Sequence, residues 1–395
     1  MSMNYLNGVN DMPLSELLNY LMDKPIDFHD QRYLVNRERE IESLNKIALY
    51  QPFGIYGVAG ETGIGKSTVL NFVRAKDVFI RMINISLRES MESILYDLVY
   101  NLSKSLEDEP KISQKAKEIA NRLSEEVSII KGFSLGFSMV ASANFNIQKN
   151  QIPRFNFYAA KESLRELIQL VTNVKGKFAL IVDELDKEKK EDVLRILDSL
   201  KKELIFDNFV VILSLPYSIY REYGLDRLRW NESGNLENIF KDIVFLSPLN
   251  KSDIKELLVK RLSNYIEIIQ NDVFDIAADF SDGNPRDAIW IMNKTVFENV
   301  NETKLERKHI LSTIDKIIKE YYADQLFLTD NQKLALDRLR NFEGPRDKAV
   351  EVLRDSGMKR TTAYSIIEQL LNKKILIKRN SLIMMSGKFR YIKNA

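Results

Sequence analysis

The sequence predicts an α/β protein: a three-layer core around a parallel sheet, then a helical region, then a small C-terminal module of helices and short strands. Three observations carry this. Short apolar runs suited to buried strands alternate with segments of helical spacing, the pattern of βαβ units. The first run passes through a glycine-rich turn, Gly60 to Thr68 (G-E-T-G-I-G-K-S-T), into a helix-like segment. Beyond residue 325 the spacing changes to three short amphipathic segments and β-like runs with a basic finish.

At 395 residues the chain has material for two or three domains, and 45% hydrophobic with 29% charged residues is an ordinary globular composition. No run approaches the ~18 apolar residues that a membrane-crossing helix requires. The start, M-S-M-N-Y-L-N-G, lacks the basic-then-apolar layout of a signal peptide. Cysteine is absent, which excludes disulfides, thiolate metal sites and cysteine nucleophiles; His29 and His309 stand far apart with no motif around either. A cytoplasmic protein without a membrane partner is the expectation. The net charge of +2 is unevenly spread, since residues 357–395 hold nine Lys/Arg against the single acid Glu368. A basic end on an otherwise acidic chain points toward nucleic acid.

Residues 1–31 read as a lead-in with a short helix near Leu14 to Met22. Tyr33 to Leu44 (Y-L-V-N-R-E-R-E-I-E-S-L) opens an amphipathic helix, and Phe53 to Ala59 forms the first strand. Gly60 to Thr68 then fits the phosphate-binding pattern G-x-x-x-x-G-K-[ST] without mismatch. A strand that turns into a helix through Gly60, Glu61, Thr62, Gly63, Ile64 and Gly65 aims backbone N–H groups at one point, where a triphosphate can sit. Lys66 reaches the β- and γ-phosphates, and the hydroxyl of Ser67, followed by Thr68, ligates Mg²⁺. Ser67 to Arg74 reads as the opening of a helix.

Val78 to Ile85 reads as the second strand, with helices at Met91 to Leu106, Lys111 to Ile130 and 158–173. Phe178 to Val182 is a buried strand ending in Asp183-Glu184-Leu185-Asp186. Asp183 is carried to the Mg²⁺ beside Ser67, and Glu184 is placed to polarise the water that attacks the γ-phosphate. Asp186 reads as a surface or helix-start residue. Phe209 to Leu213 forms a strand ending in Ser214, which either orients the attacking water or merely ends the strand. Ile243 to Leu246 is the fifth strand, with helices at 251–266, 271–280 and 284–299. Between the last two, Ser281 to Ala288 (S-D-G-N-P-R-D-A) stops one helix and starts the next. Arg286 is left in the first turn, either touching a γ-phosphate from a helical lid or as a surface arginine that the helix dipole disfavours.

From Phe133 to Gln148 apolar residues alternate with mostly polar ones, a period of two that argues for strands, most simply a hairpin turning near Ser142. It is either an extra sheet packed on the core, the favoured reading, or a protruding element that touches DNA, a protein partner or a second copy. After a connecting helix at about 306–322, helices are expected at Asn331 to Arg340, Arg346 to Asp355 and Thr361 to Asn372. Strands follow at Ile375 to Lys378 and Lys388 to Ile392, around a basic wing. In a helix-turn-helix the third helix enters the major groove. Its outward residues here are Thr361, Thr362, Ser365, Glu368 and Gln369, flanked by Lys359, Arg360, Lys373, Lys374, Lys378 and Arg379.

The phosphate loop, the D-E strand end, the Ser214 strand tip and G-N-P-R (Gly283 to Arg286) occur in this order. Together they resemble the AAA+ ATPases, P-loop NTPases, in the branch of origin-recognition and replication-initiator proteins with a C-terminal winged helix. The resemblance spans about residues 30–395. It implies an ATPase core over 32–248 with a hairpin insertion at about 131–150, a helical lid over 249–322 and a winged-helix domain over 325–395. It also implies a sensor-1 role for Ser214, a sensor-2 role for Arg286 and an adenine contact for Leu34 and Val35. ATP or ADP with Mg²⁺ and double-stranded DNA are the implied ligands, and Mg²⁺-dependent hydrolysis of ATP to ADP and phosphate the implied activity. The role would be replication-initiator-like or associated with a mobile element. One departure is that no arginine immediately precedes the fifth strand; Arg227 and Arg229, the candidates for a finger toward a neighbouring subunit, lie further upstream. The rival class is the related STAND signalling and defence ATPases, in which the winged helix packs inside the molecule. The arginine after the lid proline and the basic tail favour the DNA-engaging class.

Overall fold

The computed structural model describes residues 14–86, 90–124, 156–228, 236–379 and 381–391. The hairpin expected at 131–150, and Arg229, lie outside the described residues. The chain divides into two compact units. A sheet unit comprises Pro25–His29 and Arg37–Ser247, and a helical unit comprises the residues up to Lys24, Asp30–Asn36 and Pro248 onward.

In the sheet unit the buried apolar runs become five parallel strands: β1 (Phe53–Ala59), β2 (Phe79–Asn84), β3 (Phe178–Asp183), β4 (Phe209–Leu215) and β5 (Phe240–Phe245), in the order β2-β3-β4-β1-β5. The helices are α1 (Glu38–Tyr50), α2 (Lys66–Asn71), α3 (Met91–Ser105), α4 (113–124), α5 (Phe157–Lys175), α6 (Lys190–Leu204), α7 (Tyr217–Arg227) and α8 (Leu236–Ile239). Because β3 and β4 are apolar on both faces, each must be covered twice. Phe178, Leu180 and Val182 join Phe209, Val211 and Leu213 in a core closed by α3 to α8. Ile181, Val210 and Ile212 point the other way, against Leu44 and Ile47 of α1 and Val69 and Leu70 of α2. The first helix begins at Glu38, so Leu34 and Val35 precede it, and α2 stops at Asn71 rather than Arg74.

The helical unit holds α9 (Lys251–Arg261), α10 (Asn271–Phe280), α11 (Pro285–Glu298), α12 (Arg307–Tyr321), α13 (Asp330–Leu339), α14 (Arg346–Asp355), α15 (Arg360–Asn372) and the short α16 (Gly387–Arg390). The single helix expected at 251–266 is broken at Leu262, after which Ser263–Ile268 continues as a 3-10 segment, with Tyr265 packed on Tyr20. Three short strands, β6 (Glu343–Pro345), β7 (Leu376–Arg379) and β8 (Leu382–Met385), form an antiparallel sheet in the order β6-β8-β7 beside α13, α14 and α15. Of the strand expected at Lys388 to Ile392, residues Lys388 to Tyr391 are not one, and Ile392 lies outside the described residues. β8 takes that place in the sheet, burying Ile383 and Met385, while Gly387–Arg390 turns helically and is held by side chains of α10, α11 and the loop between them. Among the described residues no helix is long and apolar enough to cross a membrane.

Candidate functional site

The order of the strands fixes where the sheet unit's polar residues meet. From β1 the chain crosses to the β2 side, whereas from β4 it crosses past β1 to β5, so the carboxyl ends of β1 and β4 flank a switch point. In open α/β sheets ligands bind outside such ends. Three sequence-predicted residues converge there. Lys66 opens α2 directly after β1, Asp183 ends β3, and Ser214 lies on β4 abreast of Val58. Val182 pairs with Leu213, so Asp183 and Ser214 are the next residues on adjacent strands. By period two both face the side of Ile181 and Ile212, the side that α2 covers.

The loop itself turns at Gly65, which caps α2 with φ at +102° and has open space where a β-carbon would stand. L-residues with side chains rarely adopt that geometry, which leaves the backbone bare toward any occupant. Lys66 is buried, and its Nζ donates to the carbonyl oxygens of Gly60 and Glu61 at 2.9 Å each and meets Asp186 Oδ2 at 2.9 Å. Asp186, expected at the surface or a helix start, does begin the 3-10 turn Leu185–Lys187, but its carboxylate is mostly buried against Lys66.

Asp183 is buried and accepts the backbone N–H of Glu184 at 2.7 Å. Glu184 holds φ at +70°, a left-handed value uncommon for a residue with a side chain, and its carboxylate meets Lys187 Nζ at 2.6 Å. Ser214 is fully buried, and its Oγ has no hydrogen-bond partner among the described residues. It sits one residue inside β4 rather than at its tip. An unpaired buried hydroxyl costs about 1–3 kcal/mol, and a catalytic role is among the reasons native proteins keep one.

Sequence reasoning missed two supports of the loop. Arg37 is buried and donates from Nη2 to the carbonyl oxygens of Ile64 (3.2 Å) and Ser247 (2.9 Å), bracing the loop from behind. The Pro25–His29 segment lies along α2. The N–H of Ile26 donates to Thr68 Oγ1, its carbonyl accepts from Asn71 Nδ2, and Phe28 packs on Phe72 and Arg74. Only the V-N-R-E-R-E spelling around Arg37 hinted at the first, and nothing local signals the second. Arg227 is engaged within its own unit, its guanidinium over the ring of Tyr223.

In the helical unit, Val35 is buried in the core and the carbonyl of Leu34 accepts from Lys260 Nζ. Arg286 stands in the first turn of α11, where Asn284 caps its N–H and Pro285 precedes it. Its Nε meets Asp23 at 2.6 Å, with about half the side chain exposed.

The outward face of α15 is open. Lys359, Arg360, Thr361, Ser365 and Gln369 are exposed and Thr362 is half-buried, while Ala363, Ile366, Ile367 and Leu370 fill the core. Its one acid, Glu368, is paired with Arg346 at 2.6 Å. Gln369 is braced by Gln332 and Ser365, and Lys373 Nζ donates to the carbonyl of Phe327. Lys374 and Lys378 are exposed and Arg379 half-buried. Two further cations of the basic tail point elsewhere: Lys388 pairs with Asp287 and Arg390 with Asp279.

No protein-family model matches the chain, and no curated protein does. Among solved structures it is similar to the ORC2 protein of Aeropyrum pernix in ADPNP–ADP complexes, at 14% identity over 95% of each chain with a TM-score of 0.44. It is also similar to a Walker-type ATPase of Pyrococcus abyssi (14% identity, 94% of this chain and 98% of that one, TM-score 0.49). A third similarity is to Drosophila ORC bound to DNA (12% identity, 99% and 94%, TM-score 0.47). Likenesses at this level concern the course of the chain and identify no ligand.

Proposed function

We propose that the chain is an AAA+-type ATPase whose nucleotide state controls its engagement of duplex DNA, in a replication-initiator-like or mobile-element-associated role. The observation that carries the nucleotide half is the convergence of Lys66, Asp183 and the unpartnered Ser214 on one face at the switch point of the sheet. The donor set fits MgATP. The backbone N–H groups of residues 60–68 receive phosphate oxygens, and Lys66 supplies charge to the β- and γ-phosphates. Ser67 and Asp183 offer the hard oxygen ligands that Mg²⁺ takes in company with phosphates. Bound there, the ion neutralises developing phosphate charge. Glu184 would orient and deprotonate the attacking water, and the Ser214 hydroxyl would find in that water or the γ-phosphate the partner it otherwise lacks. Arg286 would report the γ-phosphate to the helical lid, and Leu34 with Val35 would flank the adenine.

For the DNA half, the helices α13 to α15 with the β6-β8-β7 sheet read as a winged helix, the region 325–395 following a lid at 249–322. In the rival STAND reading this module is only a packing element. The exposed outer face of α15, its single acid already neutralised by Arg346, favours the DNA reading. Titration with MgATP and MgADP tests the first half: wild type binds both, and Lys66→Ala weakens binding about 10–100-fold, the loss of one or two charge-assisted hydrogen bonds. Equal affinity in the variant removes the phosphate-loop assignment.

A further inference from the structure

The turn that carries Arg286 is also the anchorage of the C-terminal module. On one side of the Ser386–Tyr391 segment stand three carboxylates of α10, α11 and the loop between them. Asp282 accepts Ser386 Oγ at 2.6 Å and the N–H of Gly387 at 2.9 Å. Asp287, the residue after Arg286, accepts Lys388 Nζ at 2.6 Å. Asp279, only 8% exposed, accepts Arg390 Nη1 at 3.0 Å and the hydroxyl of Tyr391. On its other side the same segment is tied to the module. The N–H of Ser386 donates to the carbonyl of Ile375 at the foot of β7, and the carbonyl of Arg390 accepts from Arg340 at the end of α13. Phe389 is buried against Tyr322.

Contact at Gly387 is backbone on backbone. A β-carbon there would stand 1.6 Å from the carbonyl oxygen of Asp279, so no side chain fits without displacing the segment. The loop opposite is equally constrained: Asp282 holds φ at +51°, and a β-carbon on Gly283 would meet the carbonyl of Leu249 at 2.2 Å. A rigid turn whose acids on either side of Arg286 grip the module cannot shift alone.

We propose that Ser386–Tyr391 is the transmission element between the nucleotide and the DNA face: a change in what Arg286 contacts moves Asp282 and Asp287, and through them the module that bears α15. The inference rests on the nucleotide reading of Arg286. By linkage the effect is reciprocal, so duplex DNA that prefers one pose of the module must shift the preference between ATP and ADP.

Hydrogen–deuterium exchange on the full chain tests this, with MgADP against a non-hydrolysable MgATP analogue. In wild type, peptides covering 382–391 are expected to change protection by ~5-fold or more between the two nucleotides, the usual scale of coupling between sites. The difference disappears in Arg286→Ala and in Gly387→Ala, while the 60–68 peptide still responds to nucleotide. Alanine suits a helical turn, so Gly387→Ala is neutral if the segment is not docked and disruptive if it is. Should that variant melt outright, Lys388→Met, which keeps length but loses the ammonium, with its ion pair to Asp287 and its place over the Phe280 ring, takes its place. Identical exchange at 382–391 under both nucleotides, with 60–68 responding, overturns the inference alone. No response at 60–68 to either nucleotide overturns the nucleotide reading and the inference with it.

Discussion

Asp186 Oδ2 lies 2.9 Å from Lys66 Nζ, and with the carbonyls of Gly60 and Glu61 it occupies all three donors of that ammonium. A phosphate that recruits Lys66 must therefore displace one of these acceptors, and the carboxylate is the one that also repels it. Asp186→Asn is expected to tighten nucleotide binding by ~3–10-fold, about 1 kcal/mol for a partly buried ion pair. The nucleotide-free protein should melt lower, because Lys66 loses a charged partner, and the rise in melting temperature on adding MgADP should grow. Weaker binding in the variant would show that Asp186 serves the bound state instead.

Glu184→Gln keeps the shape of the side chain and removes the carboxylate proposed as the base. Nucleotide affinity should hold while turnover falls ~10²–10⁴-fold, the range of general-base contributions. Near-native steady-state phosphate release would assign the water to another residue.

Ser214→Ala separates function from stability. Its hydroxyl is buried without a partner among the described residues, so removing it relieves a penalty of about 1–3 kcal/mol rather than breaking a bond. The variant should melt at the same or a higher temperature and yet hydrolyse ATP more slowly. A destabilised variant with unchanged turnover would make Ser214 an ordinary strand residue.

The sheet and its glycine-rich loop were legible because local signals agreed: apolar strands in βαβ spacing, a motif without mismatch, and a D-E pair after a strand. What escaped was carried by contacts distant in sequence. Arg37 reaches Ile64 and Ser247, and Ile26 reaches Thr68 and Asn71, and no periodicity marks such pairs. Asp186 does start a helical turn, but its contact with Lys66 is not legible, because an acid three residues beyond a strand end looks solvated until the turn folds it back. The strand expected at Lys388 to Ile392 gives way, over the described residues to Tyr391, to a helical turn. The bonds of Ser386 and Gly387 to Asp282, over a hundred residues away, decide this.

The anchorage of the C-terminal module carries its own pH signature. Burial alone would lower the pKa of Lys388, but Asp287 and Asp282 outweigh it and hold the amine above its ordinary range. Burial and the hydrogen bond to Asp279 push the Tyr391 phenol up. In both cases the folded state keeps a proton that the unfolded chain loses near pH ~10. Their contribution is complete below that pH and is lost as pH climbs through the raised folded values. The stability gap between wild type and Lys388→Met, from urea unfolding, should be flat from pH ~7 to ~9.5 and shrink above. A gap that stays unchanged as pH rises above ~10.5 would contradict the pairing.

Duplex binding should follow the charges that remain free to meet phosphate. Lys359, Arg360, Lys374 and Lys378 are exposed, with Arg379 half-buried, whereas Lys388 and Arg390 are committed to Asp287 and Asp279. Phosphate contacts set affinity and base-edge contacts set sequence preference. Log K is expected to fall with log salt at about −0.9 per neutralised phosphate. Neutralising Lys378 and Arg379 together should shallow that slope by ~1–2 and weaken all sequences alike. Lys388→Met should leave the slope unchanged, since its charge is spent within the chain. Thr362 and Gln369 lie on the helix that would enter the groove, and Gln369 is pre-oriented by Gln332 and Ser365. Replacing either should alter which sequence is preferred by about 1–3 kcal/mol per base pair while the salt slope holds. Fluorescence anisotropy on labelled duplexes at several salt concentrations, with ADP and with an ATP analogue, measures all of these. Absence of duplex binding at low salt under both nucleotides would transfer the module to an intramolecular packing role and the protein to the signalling class.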